Sequence, residues 1–351
     1  MEKVDKFQLE ALESIRQFIR SKTCYDVLPV SFRMIVLDTE LLVKKSLTIL
    51  AQNNVASAPL WNTKTWTFAG LLTVSDFINV IQYYYQNASY VQALEDIGKL
   101  KLDGLIDIEK KINAPPLETI SINPMKSLYE ACERIRLTKA KRIPLIDHDD
   151  ETFHESLYEA CERIRLTKAK RIPLIDHDDE TFHEVIVSVL TQYRILKFIA
   201  LNCNKETKML RKPLCDLSIG TYDDLVTATM DTPVIDVIYM LAKRRISSVP
   251  IVDADGIILN IYEAIDAISL IQAGSYYDLE LSVGEALLRR SEDFGGVHTC
   301  TEKDCLDGIF DVIRRSRIHR LIVVDSNGRL KGLVSLSDIL QYIMVEGTSS
   351  Q

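Results

Sequence analysis

The chain has no run of about 18 apolar residues, so no membrane span is expected. Its first residues, Met1-Glu-Lys-Val-Asp-Lys6, lack the apolar centre of a secretory leader, which argues against secretion. Positive charge is not in excess: 42 Lys and Arg face 50 Asp and Glu, a net charge of −8. No global field therefore exists to hold a nucleic-acid backbone, although local basic pockets stay open. The seven cysteines are scattered and odd in number, as suits reduced thiols in a cytoplasmic or nuclear protein. Cys300 and Cys305 have no second pair at ligand spacing, so no metal site is expected. A glycine-rich phosphate loop is missing. So is any Ser/His/Asp set with local support, and no catalytic residue is assigned.

Repetition is abundant instead. One phrase joins a basic residue to a few apolar residues, often a proline, and then Asp. It reads Arg142-Ile-Pro-Leu-Ile-Asp147 and Arg171-Ile-Pro-Leu-Ile-Asp176, more loosely Arg245-Ile-Ser-Ser-Val-Pro-Ile-Val-Asp253 and His319-Arg-Leu-Ile-Val-Val-Asp325. A second phrase follows, an apolar run leading to an acid or Arg at the start of an amphipathic helix. Its versions are 68–76, 186–194, 259–266 and 330–338, ending at Asp76, Arg194, Asp266 and Asp338. A fixed order of phrases repeated four times predicts a repeat architecture. Each repeat reads strand–helix–strand–strand–helix. A unit of that size cannot bury both faces of its sheet, so the repeats must pair.

One repeat carries a tandem copy: residues 127–155 and 156–184 are identical letter for letter. Only one helix and strand can occupy the slot. A short hairpin into Ile186-Val-Ser-Val-Leu190 favours the second copy, with Lys170 and Arg171 rather than Lys141 and Arg142 in the sheet. His148-Asp-Asp-Glu-Thr-Phe-His154 and its copy fall where a hairpin loop belongs and read as solvated loop, not metal site.

The expected organisation is a helix and a strand for partner contact (1–29), repeat one (30–88), a helical linker (89–116) and repeat two with the duplication (117–202). Repeat three (211–274) and repeat four (282–346) follow. Apolar residues at 9, 12, 15, 18 and 19 predict a helix over 6–20, and Cys24-Tyr-Asp-Val-Leu-Pro29 reads as extended.

These phrases resemble the cystathionine-β-synthase (CBS) repeat. With Tyr25-Asp-Val-Leu-Pro29, Ser57-Ala-Pro-Leu-Trp61, Leu190-Thr-Gln-Tyr-Arg-Ile-Leu-Lys-Phe198, Ile219-Gly-Thr-Tyr222 and Val334-Ser-Leu-Ser-Asp-Ile-Leu340, the chain resembles the γ regulatory subunits of AMP-activated protein kinase in a fungal-type version. The resemblance covers nearly the whole chain outside the extra copy. It implies an α/β (α+β) fold of four CBS repeats, paired into two Bateman modules that form a flat pseudo-fourfold disc. It also implies no catalysis and no cofactor, with AMP, ADP and ATP as regulatory ligands. The implied partners are a kinase α subunit and a scaffolding β subunit, with neither nucleic acid nor membrane. The 25–28 segment would add to a β-subunit sheet edge, and the location would be cytoplasmic and nuclear.

By the same resemblance Asp76, Asp266 and Asp338 accept the ribose hydroxyls, a charge-assisted contact. One such Asp taken alone would more simply serve its own helix N-terminus, but three at equivalent repeat positions favour the ribose role. Arg194 has no acceptor, so its cleft would lack nucleotide, leaving at most three occupied. Lys141, Arg142, Lys170, Arg171, Arg245, His319 and Arg320 are the phosphate candidates, with Thr221, Ser335 and Ser337 as further ligand contacts. His319 is the expected source of pH sensitivity. Two departures stand out: the animal pattern has a basic residue where this chain has Ala56, and Lys where it has Tyr193. Both lost contacts weaken the expectation for the Asp76 cleft. A stand-alone nucleotide-binding CBS protein without a kinase remains the alternative.

Overall fold

The computed structural model describes residues 2–29, 34–53, 55–87, 97–112, 121–138, 141–147, 185–272, 279–290 and 294–347. Helix α1 (Glu2–Arg20) comes first. Repeat one is β1 (Leu37–Asp38), α2 (Val43–Gln52), β2 (Ser57–Asn62), β3 (Thr67–Thr73) and α3 (Val74–Asn87). After α4 (Leu105–Lys111), repeat two supplies α5 (Leu128–Thr138), β4 (Arg142–Asp147), β5 (Val185–Thr191) and α6 (Gln192–Asn202). Short helices α7 (Asn204–Thr207) and α8 (Leu214–Leu217) precede repeat three: α9 (Val234–Arg244), β6 (Ser248–Val252), β7 (Ile258–Glu263) and α10 (Ala264–Gln272). Helix α11 (Val283–Leu287) leads to repeat four: β8 (Thr299–Cys300), α12 (Leu306–Arg315), β9 (Arg320–Val324), β10 (Leu330–Ser335) and α13 (Leu336–Val345).

All four units share one topology. The second strand runs antiparallel to the third, and the first lies parallel on its other edge. In repeats one and four that first strand is β1 or β8. In repeats two and three it shrinks to single bridges, Ile122 to Leu145 and Ala228 to Ile251. Every hairpin has a register shift, at Leu60/Trp61, Leu145/Ile146, Ile251/Val252 and Leu330/Gly332. In the first three it comes just after the proline of the phrase (Pro59, Pro144, Pro250), whose missing N–H already weakens the ladder there.

Two apolar cores hold the repeats together, and they cross the sequence order. Repeats one and three share one core through Phe77, Ile78, Ile238, Leu241 and Ile268. Repeats two and four share the other with α1, through Leu12, Ile15, Leu128, Ile195, Phe310 and Ile339. Repeats three and four are also joined by backbone bonds. Thr221 and Leu333 exchange N–H···O bonds of 2.8 and 2.9 Å, and the two hairpin turns pair through Ile258 N to Gly328 O at 3.1 Å. A side chain at 332 would put its Cβ 2.6 Å from the Tyr222 ring, so this crossing requires glycine.

Three expectations are corrected. The 24–29 segment is not extended: Tyr25–Val27 form a 3₁₀ turn. Helix α1 begins at Glu2, well before 6, and turns its apolar stripe onto its own chain. The first tandem copy, not the second, supplies the sheet, because β4 is Arg142–Asp147 and pairs with β5. Each copy could inherit one native junction. The second would keep the hairpin into β5, whereas the first keeps the turn at 123–127. That turn is tied to the end of α1 by Cys24 N to Lys126 O (2.9 Å), Tyr25 N to Pro124 O (2.9 Å) and Leu128 N to Lys22 O (2.7 Å). A junction bonded to a neighbouring element outweighs a hairpin closed only on itself. Lys170, Arg171 and both histidine-containing loop segments lie outside the described residues.

Candidate functional site

The three aspartates occupy the same place, the third residue of a helix that leaves the third strand of its repeat. There the carboxylate turns back onto the residue before the helix. Oδ2 of Asp76 accepts from Thr73 N (2.6 Å), that of Asp266 from Glu263 N (2.7 Å) and that of Asp338 from Ser335 N (2.8 Å). The helix-capping role is therefore real, but it uses one oxygen only. At Asp338 the Ser335 hydroxyl completes a capping box. Its Oδ1 takes no hydrogen bond from any described residue and remains an open acceptor on a half-buried carboxylate.

Asp266 is engaged differently. Arg290 grips both its oxygens, with Nε 2.8 Å from Oδ1 and Nη2 on Oδ2, and also donates to Asn260 Oδ1 (3.1 Å) and Ile261 O (2.6 Å). The guanidinium lies 3.9 Å above the Phe294 ring. Only 12% of the Asp266 side chain is exposed, and burial pushes its pKa up although Arg290 opposes the shift. Asp76 is buried and also accepts from the Thr73 hydroxyl at 2.9 Å. The fourth equivalent position, Arg194, turns its guanidinium onto Val189 O (2.9 Å) and Ser188 Oγ (3.3 Å).

The first phrase brings cations from two repeats to one place. Lys141 precedes β4 and Arg142 begins it; His319 and Arg320 stand at the same two positions of β9. Lys141, Arg142 and Arg320 all act on the His319 ring. That ring keeps solvent access, yet its pKa is pushed down to about 4, by desolvation first and then by Arg317, Arg320, Arg142 and Lys141. The cations act in this direction at any degree of hydration, so the imidazole is neutral at pH 7. Arg320 reaches into repeat three, donating to Ser247 Oγ at 3.1 Å and pairing with Glu263 at 3.3 Å. Such a gathering of like charges is relieved by an anion.

The remaining candidates separate. Thr221 sits on the strand edge against β10, and the neighbouring Tyr222 hydroxyl is buried with no hydrogen-bond partner among the described residues; burial raises its pKa, followed by Cys300, Glu302, Cys215 and Asp338. Ser335 is absorbed in the capping box, and Ser337 donates to Gln192 Oε1 at 3.0 Å across the repeat two–four contact. Arg245 is exposed at the left-handed residue that ends α9. Sequence reasoning missed Arg290, Tyr222 and Arg317. Arg317 was findable, since it opens the fourth phrase where Arg245 opens the third. Among the described residues no group of three or more His, Cys, Asp or Glu could hold a metal ion, and no helix is long and apolar enough to cross a membrane. Asp338 alone of the three keeps an acceptor oxygen that no described residue occupies, and cations of repeats two and four gather at His319; the first can take a hydroxyl and the second an anion.

Comparison with known proteins agrees with this architecture. The CBS domain model matches residues 219–272 and 297–345. The 5′-AMP-activated protein kinase subunit gamma of Saccharomyces cerevisiae is 53% identical over 344 residues, covering 98% of this chain and 97% of the yeast protein. The Kluyveromyces lactis protein of the same name is 53% identical over 335 residues, covering 95% of this chain and 92% of its own. Bovine subunit gamma-3 is 30% identical over 97% of this chain and 62% of its own length. A solved archaeal structure from Methanocaldococcus jannaschii has the same fold, with a TM-score of 0.64 at 16% identity, covering 92% of this chain and 99% of that one.

Proposed function

The chain belongs to the family of γ subunits of 5′-AMP-activated protein kinase, and from that premise we propose that it is a non-catalytic regulatory subunit that binds AMP, ADP and ATP in competition. The observation that carries this reading is Asp338: a half-buried carboxylate with one oxygen fixed by its helix cap and the other open, at the junction of repeats three and four. An open carboxylate oxygen can accept hydroxyl protons of a ribose. The cation cluster around His319 supplies the complementary end for phosphate.

The Asp338 cleft binds first. The Asp266 cleft must release its carboxylate from Arg290 before that acceptor is usable. The Arg194 cleft has no acceptor for ribose. A nucleotide that contacts two repeats favours one relative placement of them, and that difference is what a kinase α subunit, held with a scaffolding β subunit, would read. The setting proposed for this assembly is cytoplasm and nucleus.

The test is calorimetric titration of AMP, ADP and ATP into the purified chain beside Asp338→Ala. Saturable binding weakened at least tenfold by the substitution is expected. No binding to the wild type, or equal binding to the variant, removes the reading. Affinity capture of the tagged chain should bring down a kinase and a second subunit in equal amount; a chain recovered alone points to a stand-alone sensor.

A further inference from the structure

Cys24, Cys132, Cys203 and Cys300 are buried, so among the described residues only Cys215 and Cys305 have thiols within reach of solvent. The fold puts these two on one seam. Residues 203–217 link repeat two to repeat three, and this linker is stitched to the start of α12 in repeat four. Pro213 and Cys305 form an antiparallel bridge. Leu214 N donates to Asp304 O at 2.9 Å, Cys215 N to Glu302 O at 3.0 Å and Asp307 N to Leu210 O at 3.1 Å. Thr301 N and its hydroxyl both donate to Asp304 Oδ2, which closes the 301–304 turn and keeps Cys305 against the linker. The backbone of Cys215 is thus bonded three residues from Cys305, and that of Cys305 is bridged two residues from Cys215. Cys305 Sγ donates to Arg211 O at 3.0 Å and Cys215 Sγ to Asp216 Oδ1 at 3.6 Å, weak contacts that a rotation about each Cα–Cβ bond gives up.

We propose that Cys215 and Cys305 are an oxidation-sensitive pair whose disulfide clamps the 203–217 linker to repeat four. Facing residues of an antiparallel bridge lie about 4.5–5.5 Å apart at Cα, and a disulfide spans about 4.4–6.8 Å. Cys215 is two residues beyond the bridge partner Pro213, but the chain turns there into α8, which keeps it beside the 302–305 backbone. The thiols are close enough for the charge of one to be felt at the other. In the reaction both S–H bonds break and one S–S bond forms. Hydrogen peroxide is the oxidant: its O–O bond takes the two electrons, and its oxygens leave with the two thiol protons as two waters. Desolvation and Asp216 raise the Cys215 thiol pKa; burial, Asp307, Asp304 and Cys215 raise that of Cys305. Few thiolates are present at pH 7, so the bond forms slowly. A reduced pair that gains no thiolate stabilisation also makes the disulfide hard to reverse. The pair therefore records sustained oxidation rather than a brief pulse. It needs no nucleotide and stands apart from the nucleotide reading.

The experiment treats the purified full chain with hydrogen peroxide, or with oxidised glutathione as a disulfide donor, alkylates the remaining thiols and maps the peptides by mass spectrometry. The expected product is a monomer two hydrogens lighter, in which the peptide of Cys215 is joined to that of Cys305. Dithiothreitol should release the link, and raising the pH should speed its formation. Lys205, Lys208 and Arg211 are exposed on the linker. Trypsin should cut there at least about threefold more slowly in the oxidised chain, and the thermal midpoint should rise by about 5 °C. Cys215→Ser and Cys305→Ser keep the size and the donor of each side chain. Their reduced midpoints should match the wild type, while neither forms the link. A chain left with both cysteines alkylated, joined to glutathione only, or linked to Cys161, Cys300 or a second chain overturns the proposal. A Cys215–Cys305 link that leaves tryptic cleavage and the midpoint unaltered upholds the pair and overturns the clamp.

Discussion

His319 carries the clearest pH signature at the level of a single residue. Its folded pKa is about 4 against an ordinary 6.5. The folded protein therefore binds fewer protons at this position than the unfolded chain does. Its contribution to stability is fully present above pH 6.5 and is lost as pH falls through 4. His319→Gln should flatten that part of the stability–pH curve, and NMR titration of the ring reads the pKa directly. A bound polyphosphate offsets the neighbouring cations and raises the His319 pKa towards its ordinary value. Below pH 6.5 binding should then take up a proton and tighten, which calorimetry in buffers of different ionisation enthalpy detects. Binding that weakens with acidification would place the anion elsewhere. Asp266 and Arg290 show what one missing partner costs. Both are nearly buried, so Arg290→Met strands a carboxylate and should destabilise by about 3–5 kcal/mol, while adding Asp266→Asn should restore much of the loss. Urea midpoints of the single and double variants decide it.

At the scale of elements, α1 and α13 depend on one another through Arg16. This side chain is 2% exposed, yet its Nη1 donates to Ile343 O at 3.0 Å and Glu346 O at 2.7 Å, satisfying carbonyls that the last turn of α13 leaves without partners. Arg16→Met keeps much of the volume but removes charge-assisted bonds of about 1.5–3 kcal/mol each. The expected loss is about 3–6 kcal/mol for the two bonds together, with trypsin cutting first at the freed α1 in the variant; unaltered urea midpoints would show that water caps α13 equally well. The repeats and the three helix-start aspartates were legible because period and phrase are local properties. Arg290 was not, since it reaches Asp266 from 24 positions away, and nothing in the residues around 290 marks that contact. The 3₁₀ turn at Tyr25–Val27 was misread as extended. Its backbone bonds to residues 124 and 126 decide its shape, and no local pattern encodes them. The pairing of repeats one with three and two with four was hidden too, because every repeat has the same apolar helix faces.

For the whole molecule, the duplication poses a choice between two identical segments, and the structure resolves it in favour of the first. The consequence can be tested without perturbing the fold. Arg142 begins β4 and acts on His319, whereas Arg171, its counterpart in the second copy, lies outside the described residues. Arg142→Ala should therefore weaken tripolyphosphate binding by about tenfold, and Arg171→Ala should leave it unchanged. The reverse result would put the second copy in the sheet. A partial loss in both would mean that the copies exchange, each taking the slot for part of the time. Removing either copy yields the same 322-residue sequence, so a single deletion serves as reference for both. It keeps both native junctions, the turn into α5 and the hairpin into β5, and shortens the connection between β4 and β5 by 29 residues, from 37 to 8. With closure cost growing as (3/2)RT ln n, the deletion should be more stable by about 1.4 kcal/mol while binding tripolyphosphate as tightly as the full chain. A deletion that is less stable than the full chain would show that the second copy packs against the repeats and contributes to their cores.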